Sequence, residues 1–346
     1  MKKRLHGIFI IIILIFSSIL ISGKMEEIKN NIYLNNLTLK QKIAQMFIIR
    51  GNEKNLDLTE FNIGGIIIGE FKTKEDYKKL ISEYNNKSKI KLFVSADLEG
   101  YWNPFHNFAK FPNADEIKTK EEAYELGKEH GKILKELGFN LNFAPVAEIK
   151  DNVWKHRAFL GNTSEISGKI NYYVKGLQGQ GILATLKHYP GGSLNIKDPH
   201  LQIVKSEISQ EQMEVFNSAL TNTSSIMIGH TIVSGEINSN GNPSSVSTEV
   251  ISTLKTKFNG LIISDDINMK GLKNKYFLRK KQLLIDLVNS GNNIIIDGSW
   301  HMFPEYNLNK KINYIESSVK SGEIKQEKID KSVQKILTAK GYKVIN

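Results

Sequence analysis

The sequence contains no cysteine, and this absence excludes several classes of protein. Disulfide scaffolds, zinc ribbons, thiolate nucleophiles and lipid attachment through cysteine all require the missing thiol. No G-x-G-x-x-G sequence follows the first predicted strand, and no Walker A sequence occurs anywhere. The glycine-rich loops that hold nucleotide phosphates are therefore missing as well.

The composition is that of a globular protein with a basic surplus. The 346 residues are 40% hydrophobic and 24% charged, which excludes wholesale disorder. Lys and Arg number 47 against 36 Asp and Glu, so the formal net charge is +11. The surplus is distributed as single lysines rather than packed into one arm or patch. It predicts a solvated surface with a mild attraction to anionic polymers, nucleic acid or cell-wall material.

The amino terminus resembles an export signal. Three cations at residues 2–4 precede Gly7–Ser22, a stretch made almost wholly of Ile, Leu and Phe. As a helix this stretch would span roughly 24 Å, less than the ~30 Å hydrocarbon core of a bilayer. We therefore expect a signal peptide at residues 1–23, although Ile21 is a poor cleavage residue and leaves an uncleaved membrane anchor open. Either form predicts an exported protein that is periplasmic, secreted or held at the outer face of the membrane.

Apolar runs alternate with helical patterns after a polar linker at residues 24–36. The runs do not alternate internally between apolar and polar residues, as is typical of strands buried on both faces. Capping sequences such as Thr73-x-x-Asp76 introduce the helices between them. Eight such runs occur: Met46–Arg50, Gly65–Gly69, Leu92–Ala96, Leu141–Pro145, Leu183–His188, Ser225–His230, Leu261–Asp265 and Asn293–Asp297. This alternation predicts an α/β protein with one (β/α)₈ TIM-barrel domain at residues 37–346, closed by a helix after Leu308.

Polar residues follow the predicted strands at their carboxyl ends, where barrels of this kind form their active sites. They are Asp97, Glu99, Lys187, His188, His230, Asp265, Asp266 and Asp297. The residues alone leave several chemistries open. Lys187 could form a Schiff base, the His and Asp residues could hold a metal, or a carboxylate with a protonated partner could cleave a glycosidic bond.

A set of sequence motifs at these positions favours one of these chemistries. Lys187–Gly191 reads K-H-Y-P-G, Asp198–His200 reads D-P-H, and Ser264–Met269 reads S-D-D-I-N-M. Shorter matches lie at Asp97–Gly100, Asn142–Val146 and Arg157–Phe159. In this order, from about Leu39 to Gly298, they resemble glycoside hydrolase family 3, in its single-domain β-N-acetylhexosaminidase branch.

The resemblance implies retaining hydrolysis without a metal or another cofactor. Asp265 occupies the nucleophile position, and His200 takes the place of the usual acid/base carboxylate. Asp198 would orient the His200 imidazole, while Asp266 has the simpler role of fixing the loop. The implied sugar contacts are Asp97, Arg157, Lys187 and His188, and His230 is either a further contact or a satisfied rim histidine.

This sequence departs from the family pattern after Gly100. Phe105 stands at the family's arginine position, and Tyr101 and Trp102 introduce aromatic rings that could stack on a sugar. Gly192–Asn195 also differs from the usual strand-five loop. We expect a monomer that removes β-linked N-acetylglucosamine from peptidoglycan- or chitin-type fragments, binds no nucleic acid and meets a membrane only through its amino terminus. Another β-sugar, phosphate as the acceptor, or a non-catalytic wall-binding barrel are the alternatives.

Overall fold

The computed structural model describes residues 31–150, 152–192, 197–198, 200–298 and 308–345. Eight parallel strands form its central sheet, and each predicted apolar run coincides with one of them to within a few residues. The barrel strands are β2 (Phe47–Arg50), β3 (Gly65–Ile67), β4 (Phe93–Ala96), β5 (Leu141–Asn142), β6 (Leu183–Tyr189), β8 (Ser225–Ile228), β10 (Leu261–Ser264) and β11 (Ile295–Asp297).

The sheet closes on itself into a barrel. Neighbouring strands pair in chain order, and β11 pairs with β2. The first and last strands of the sheet, β10 and β11, meet through a parallel bridge between Ile263 and Ile294. The Ser264 N–H donates to the Ile294 carbonyl at 2.9 Å across this junction. The predicted (β/α)₈ barrel is therefore confirmed.

Helices surround the barrel, and their starts follow the predicted capping sequences. Thr73 and Thr119 each form a complete capping box, and Ser209 accepts a hydrogen bond from the Gln212 N–H. The helices are α1 (Leu39–Gln45), α2 (Lys74–Lys87), α3 (Lys120–Leu137), α4 (Thr163–Gln178), α5 (Gln210–Ala219), α6 (Thr248–Lys255), α7 (Lys270–Lys275), α8 (Lys280–Ser290), α9 (Leu308–Lys320) and α10 (Gln326–Ala339). Their apolar faces pack against strands that are themselves buried on both sides.

Both ends of the described chain differ from the sequence-based expectations. The sequence predicted a single closing helix, whereas the structure has two, α9 and α10. Gly322 adopts a φ of +83° between them and ends the first helix. Residues 31–36 belong to the fold rather than to a linker, since β1 (Asn31–Tyr33) pairs with β12 (Lys343–Ile345). The predicted signal segment at residues 1–23 lies outside the described residues. No helix in the described part of the chain has the length and hydropathy needed to span a bilayer.

A second small sheet lies beside the mouth of the barrel. It pairs β7 (Lys205–Ile208) with β9 (Ile232–Gly235). The strand β7 follows the segment that carries Asp198 and His200, and β9 begins just beyond the end of β8. The mouth is therefore built from the carboxyl ends of the barrel strands and from this added layer.

Candidate active site

Four charged side chains form one ion cluster at the mouth of the barrel. The Lys187 ammonium lies 2.6 Å from Asp97 Oδ1 and 2.5 Å from Glu99 Oε1. The Arg157 guanidinium donates to both Glu99 oxygens, at 2.6 and 2.9 Å. Glu99 and Lys187 are buried, whereas 32% of the Asp97 side chain is exposed. Glu99 thus fixes the two cations, and the Asp97 side chain is partly exposed at the mouth of the barrel.

The cluster keeps its members ionised. Burial by itself raises the pKa of Glu99, but the adjacent charges of Arg157 and Lys187 lower it to about 2. Burial likewise lowers the pKa of Lys187, yet the carboxylates of Asp97 and Glu99 bring it above its usual value. A Schiff-base lysine must lose its proton to attack a carbonyl. The electrostatics of Lys187 therefore argue against that alternative.

Asp265 stands at the end of β10 with its carboxylate ionised. Its Oδ1 accepts a hydrogen bond from the Asp266 N–H at 2.7 Å. Burial raises the pKa of Asp265, whereas His188, His230 and His200 lower it, and the net result lies below the usual value. A carboxylate held as an anion next to imidazoles has the electronic state that a nucleophile needs at neutral pH.

Asp266 turns to the loop that follows. Its Oδ1 accepts hydrogen bonds from the Asn268 N–H at 2.9 Å and from Asn268 Nδ2 at 2.8 Å. Burial raises the pKa of Asp266 to about 6, and the carboxylates of Asp297 and Asp265 add to the rise. Asp297 is buried, accepts from Asn268 Nδ2 at 2.8 Å, and pairs with Lys311. These contacts assign both residues to holding the rim.

His230 has partners within the protein on both ring nitrogens. Its Nε2 donates to the Asp266 carbonyl at 3.0 Å, which leaves Nδ1 to accept from the Ser245 hydroxyl at 2.7 Å. Burial lowers the pKa of His230, in keeping with this neutral tautomer. Of the two alternatives that the sequence left open for His230, the structure favours the satisfied rim histidine over the sugar contact, and His230 positions the turn that carries Asp265.

His200 and Asp198 form a dyad on the loop between β6 and β7. Asp198 Oδ1 lies 2.9 Å from His200 Nδ1 and also accepts the His200 N–H at 2.8 Å. The His200 side chain is 52% exposed and meets the ring edge of Trp154, with centroids 5.8 Å apart. The His200 carbonyl accepts from the Lys270 N–H at 3.0 Å, so this loop is docked on the start of α7.

His188 follows Lys187 on β6 and lies near Asp265. It is partly buried, and its Nδ1 is 3.9 Å from the buried carboxylate of Glu148. Glu148 also accepts a hydrogen bond from the Gly192 N–H at 3.1 Å, which holds the start of the loop that follows β6, the fifth strand of the barrel. This is the loop whose sequence differs from the family pattern, and its residues Ser193, Leu194 and Asn195 lie outside the described residues.

The aromatic residues at which this sequence differs from the family pattern form a buried and an exposed group. Phe105 is 0% exposed and packs edge-on against Tyr77, with centroids 5.1 Å apart. It therefore fills the core and offers no surface to a sugar. Tyr101 and Trp102 are exposed, so their rings remain accessible at the rim.

Another cation reaches the mouth from β2. Burial lowers the pKa of Arg50, and the nearby carboxylates of Asp97 and Asp266 partly offset this effect. Gly69 makes room for it, because a Cβ there would lie 2.2 Å from the guanidinium. Arg50 thus lies near Asp97 and Asp266 at the mouth of the barrel.

Comparisons with known proteins decide the family. The family model described as "Glycosyl hydrolase family 3 N terminal domain" matches residues 38–339. The chain belongs to glycoside hydrolase family 3. The curated relative "Beta-hexosaminidase LpqI" of Mycobacterium tuberculosis is 23% identical over 334 residues, covering 88% of this chain and 83% of the relative.

Solved structures of this family share the fold. The M. tuberculosis LpqI structure has a TM-score of 0.80 at 22% identity and covers 89% of this chain and 95% of that one. A family 3 β-N-acetylglucosaminidase from Paenibacillus sp. str. FPU-7 has a TM-score of 0.78 at 24% identity, with 88% and 62% covered. The predicted family and the predicted enzyme class are confirmed, and the protein is a glycoside hydrolase acting on carbohydrate. The roles of the individual site residues stay predictions.

Within this family 3 enzyme, sequence reasoning underrated three residues. Glu99 was placed at the rim without a role, although it ties Lys187 to Arg157. Arg50 and Glu148 were not singled out at all. Arg50 and Glu148 are charged residues that directly follow apolar runs, which is the signal that could have found them. Among the described residues, no group of three or more His, Asp and Glu side chains is arranged to hold a metal ion.

Proposed function

We propose that this family 3 glycoside hydrolase removes β-linked N-acetylglucosamine through a covalent intermediate on Asp265, with His200 as acid/base. The observation that carries the proposal is the pairing of an anionic Asp265 with a separate imidazole–carboxylate dyad at one barrel mouth. The names of the relatives, β-hexosaminidase and β-N-acetylglucosaminidase, support the choice of sugar.

In the first step the Asp265 carboxylate attacks the anomeric carbon while the bond to the leaving oxygen breaks. Protonated His200 gives its proton to that oxygen, so the leaving sugar departs as a neutral alcohol. Because Nδ1 is held by Asp198, the proton is transferred from Nε2. The Asp198 carboxylate stabilises the imidazolium before transfer and fixes the ring afterwards.

In the second step a water molecule replaces the leaving group. Neutral His200 accepts a proton from the water, whose oxygen attacks the anomeric carbon, and the bond to Asp265 breaks. Two inversions at one carbon retain the configuration of the sugar. The low pKa of Asp265 suits it to leave as a carboxylate.

The ion cluster would hold the sugar. Asp97 exposes its carboxylate to accept hydroxyl donors, while Lys187, Arg157 and His188 supply donors for the sugar oxygens. Glu99 pre-arranges two of these groups, so that little side-chain entropy is lost when substrate binds. Tyr101 and Trp102 offer exposed rings for a neighbouring sugar unit.

We further propose that the enzyme acts outside the cytoplasm on peptidoglycan- or chitin-type fragments. The apolar stretch at Gly7–Ser22 with its preceding cations supports export. A second candidate acceptor is inorganic phosphate, since a dyad based on histidine carries no net negative charge when the imidazole is protonated. One structural relative at a TM-score of 0.74 is a β-glucoside phosphorylase.

A panel of aryl glycosides tests this function. Aryl β-N-acetylglucosaminide should be cleaved far faster than aryl β-glucoside, with retention of configuration in the product. The panel is run with and without phosphate, and a glycosyl phosphate product would establish the second acceptor. Preference for the glucoside would overturn the choice of sugar, and an inverted product would overturn the mechanism.

A further inference from the structure

Two large apolar side chains are displayed at the tip of the turn between α7 and α8. Phe277 is 71% exposed and Leu278 is 90% exposed. Single exposed apolar residues are ordinary on soluble proteins, but an adjacent exposed pair suggests a contact surface. This turn also stands beside the active site, because α7 carries the Lys270 N–H that holds His200.

The turn is rigidly built rather than frayed. Tyr276 is buried, and its hydroxyl donates to Asp286 Oδ2 at 2.7 Å on α8. The Arg279 guanidinium lies over the Tyr276 ring at 5.7 Å, and the Arg279 N–H donates to the Tyr276 carbonyl at 2.8 Å. With Tyr276 as an inward anchor, the next two residues are held outward.

Cations flank the exposed pair on both sides. Residues 270–281 contain six Lys and Arg and no Asp or Glu. Lys281 pairs with Glu323 at 3.0 Å, and Lys275 donates to the Gly241 carbonyl. The other four are exposed: Lys270, Lys273, Arg279 and Lys280. The expectation that the basic surplus is not packed into one arm or patch does not hold for this turn, because two helices joined by a short turn bring these cations together.

We propose that this basic–apolar turn, residues 270–281, docks on the surface of an anionic lipid bilayer. Lipid phosphates would neutralise the cations, and Phe277 and Leu278 would enter the boundary between headgroups and acyl chains. A soluble polyanion would satisfy the cations but leave the two apolar side chains in water. A bilayer interface satisfies both the cations and the two apolar side chains of this turn. Docking there would bring the mouth of the barrel close to the membrane.

The absence of cysteine allows a direct test on the full chain. Leu278→Cys carries an environment-sensitive fluorophore, and the chain is mixed with vesicles of phosphatidylcholine, with or without phosphatidylglycerol. The fluorophore should shift to shorter wavelength and be quenched by nitroxide lipids only when phosphatidylglycerol is present. The matched control is Asn85→Cys, an exposed site on α2, which should not respond even if the amino terminus tethers the chain.

The charge requirement is tested with paired substitutions. Lys273→Gln with Lys280→Gln should lower the ratio of docked to free turn about 25-fold, since each cation near an anionic surface contributes about fivefold. The control pair, Lys79→Gln with Lys89→Gln, makes the same change in net charge elsewhere and should have little effect. Hydrolysis of a soluble substrate stays unchanged in both pairs. Three results would each overturn the proposal. They are equal fluorescence responses at positions 278 and 85, no response to phosphatidylglycerol, and the same fluorescence shift at position 278 with a soluble polyanion in place of vesicles.

Discussion

The ionised Glu99 side chain should stabilise the folded enzyme in a pH-dependent way. Its pKa is about 2 in the folded protein and near 4.5 in an unfolded chain. A carboxyl whose pKa is depressed by folding contributes stability above its unfolded pKa and loses it as the pH falls toward the folded value. The difference corresponds to about 3 kcal/mol in the free energy of unfolding at neutral pH.

The substitution Glu99→Gln removes this contribution and leaves two cations with one fewer anion. We expect the variant to be less stable than the wild type by about 3 kcal/mol at pH 7, within the range found for breaking buried ion pairs. At about pH 3.5 the difference in the free energy of unfolding should be smaller by about 1 kcal/mol, because Glu99 of the wild type has then lost part of its stabilising effect.

Urea unfolding followed by circular dichroism at both pH values measures the two differences. Glu121→Gln, an exposed glutamate in the first turn of α3, is the control and should change stability by less than about 0.5 kcal/mol. A Glu99→Gln deficit that is the same at both pH values would show that the residue stabilises by packing. The ion-pair reasoning would then be refuted.

Further predictions concern the proposed chemistry. His200→Ala should lower the glycosylation rate on a natural disaccharide roughly 10²–10⁴-fold but far less on an aryl glycoside with an acidic leaving group; equal losses would show that another group supplies the proton. Asp198→Ala should give the same pattern more weakly, as measured by single-turnover kinetics on both substrates. Asp266→Asn should keep most of the turnover, because an amide oxygen can accept the same bonds from Asn268, and a loss as large as that of Asp265→Asn would reverse the assignment. Chelator treatment should leave the rate unchanged, and a loss restored by zinc or calcium would contradict a metal-free mechanism.

The barrel was predictable because its strands are buried on both faces. Runs such as Leu261–Asp265 carry no polar alternation, so their sequence marks both the strand and its end. Polar residues after such runs must lie at one rim, which is why Asp97, Lys187 and Asp265 were found together. The short strands β1 and β12 carried no comparable signal, since three-residue strands pair over a distance of some 300 residues only once the barrel exists.

What the sequence could not supply was the partner of each rim residue. For His230 the sequence left a ligand contact and a satisfied rim histidine open, and only the structure shows its ring nitrogens bonded to Ser245 and the Asp266 carbonyl. Phe105 looked like a change in the sugar site, yet its ring lies in an aromatic cluster with Tyr77. These outcomes depend on side-chain directions set by tertiary packing, and one sequence does not specify them.

Identification of the covalently modified residue tests the central claim most directly. His200→Ala, given an activated aryl β-N-acetylglucosaminide and quenched in acid, should accumulate glycosyl-enzyme because no base activates the attacking water. Peptide mass mapping should then place one N-acetylhexosamine on the peptide containing Asp265, and fragmentation should assign it to that carboxylate. The sugar attached to Asp266 or to any other residue would contradict the account.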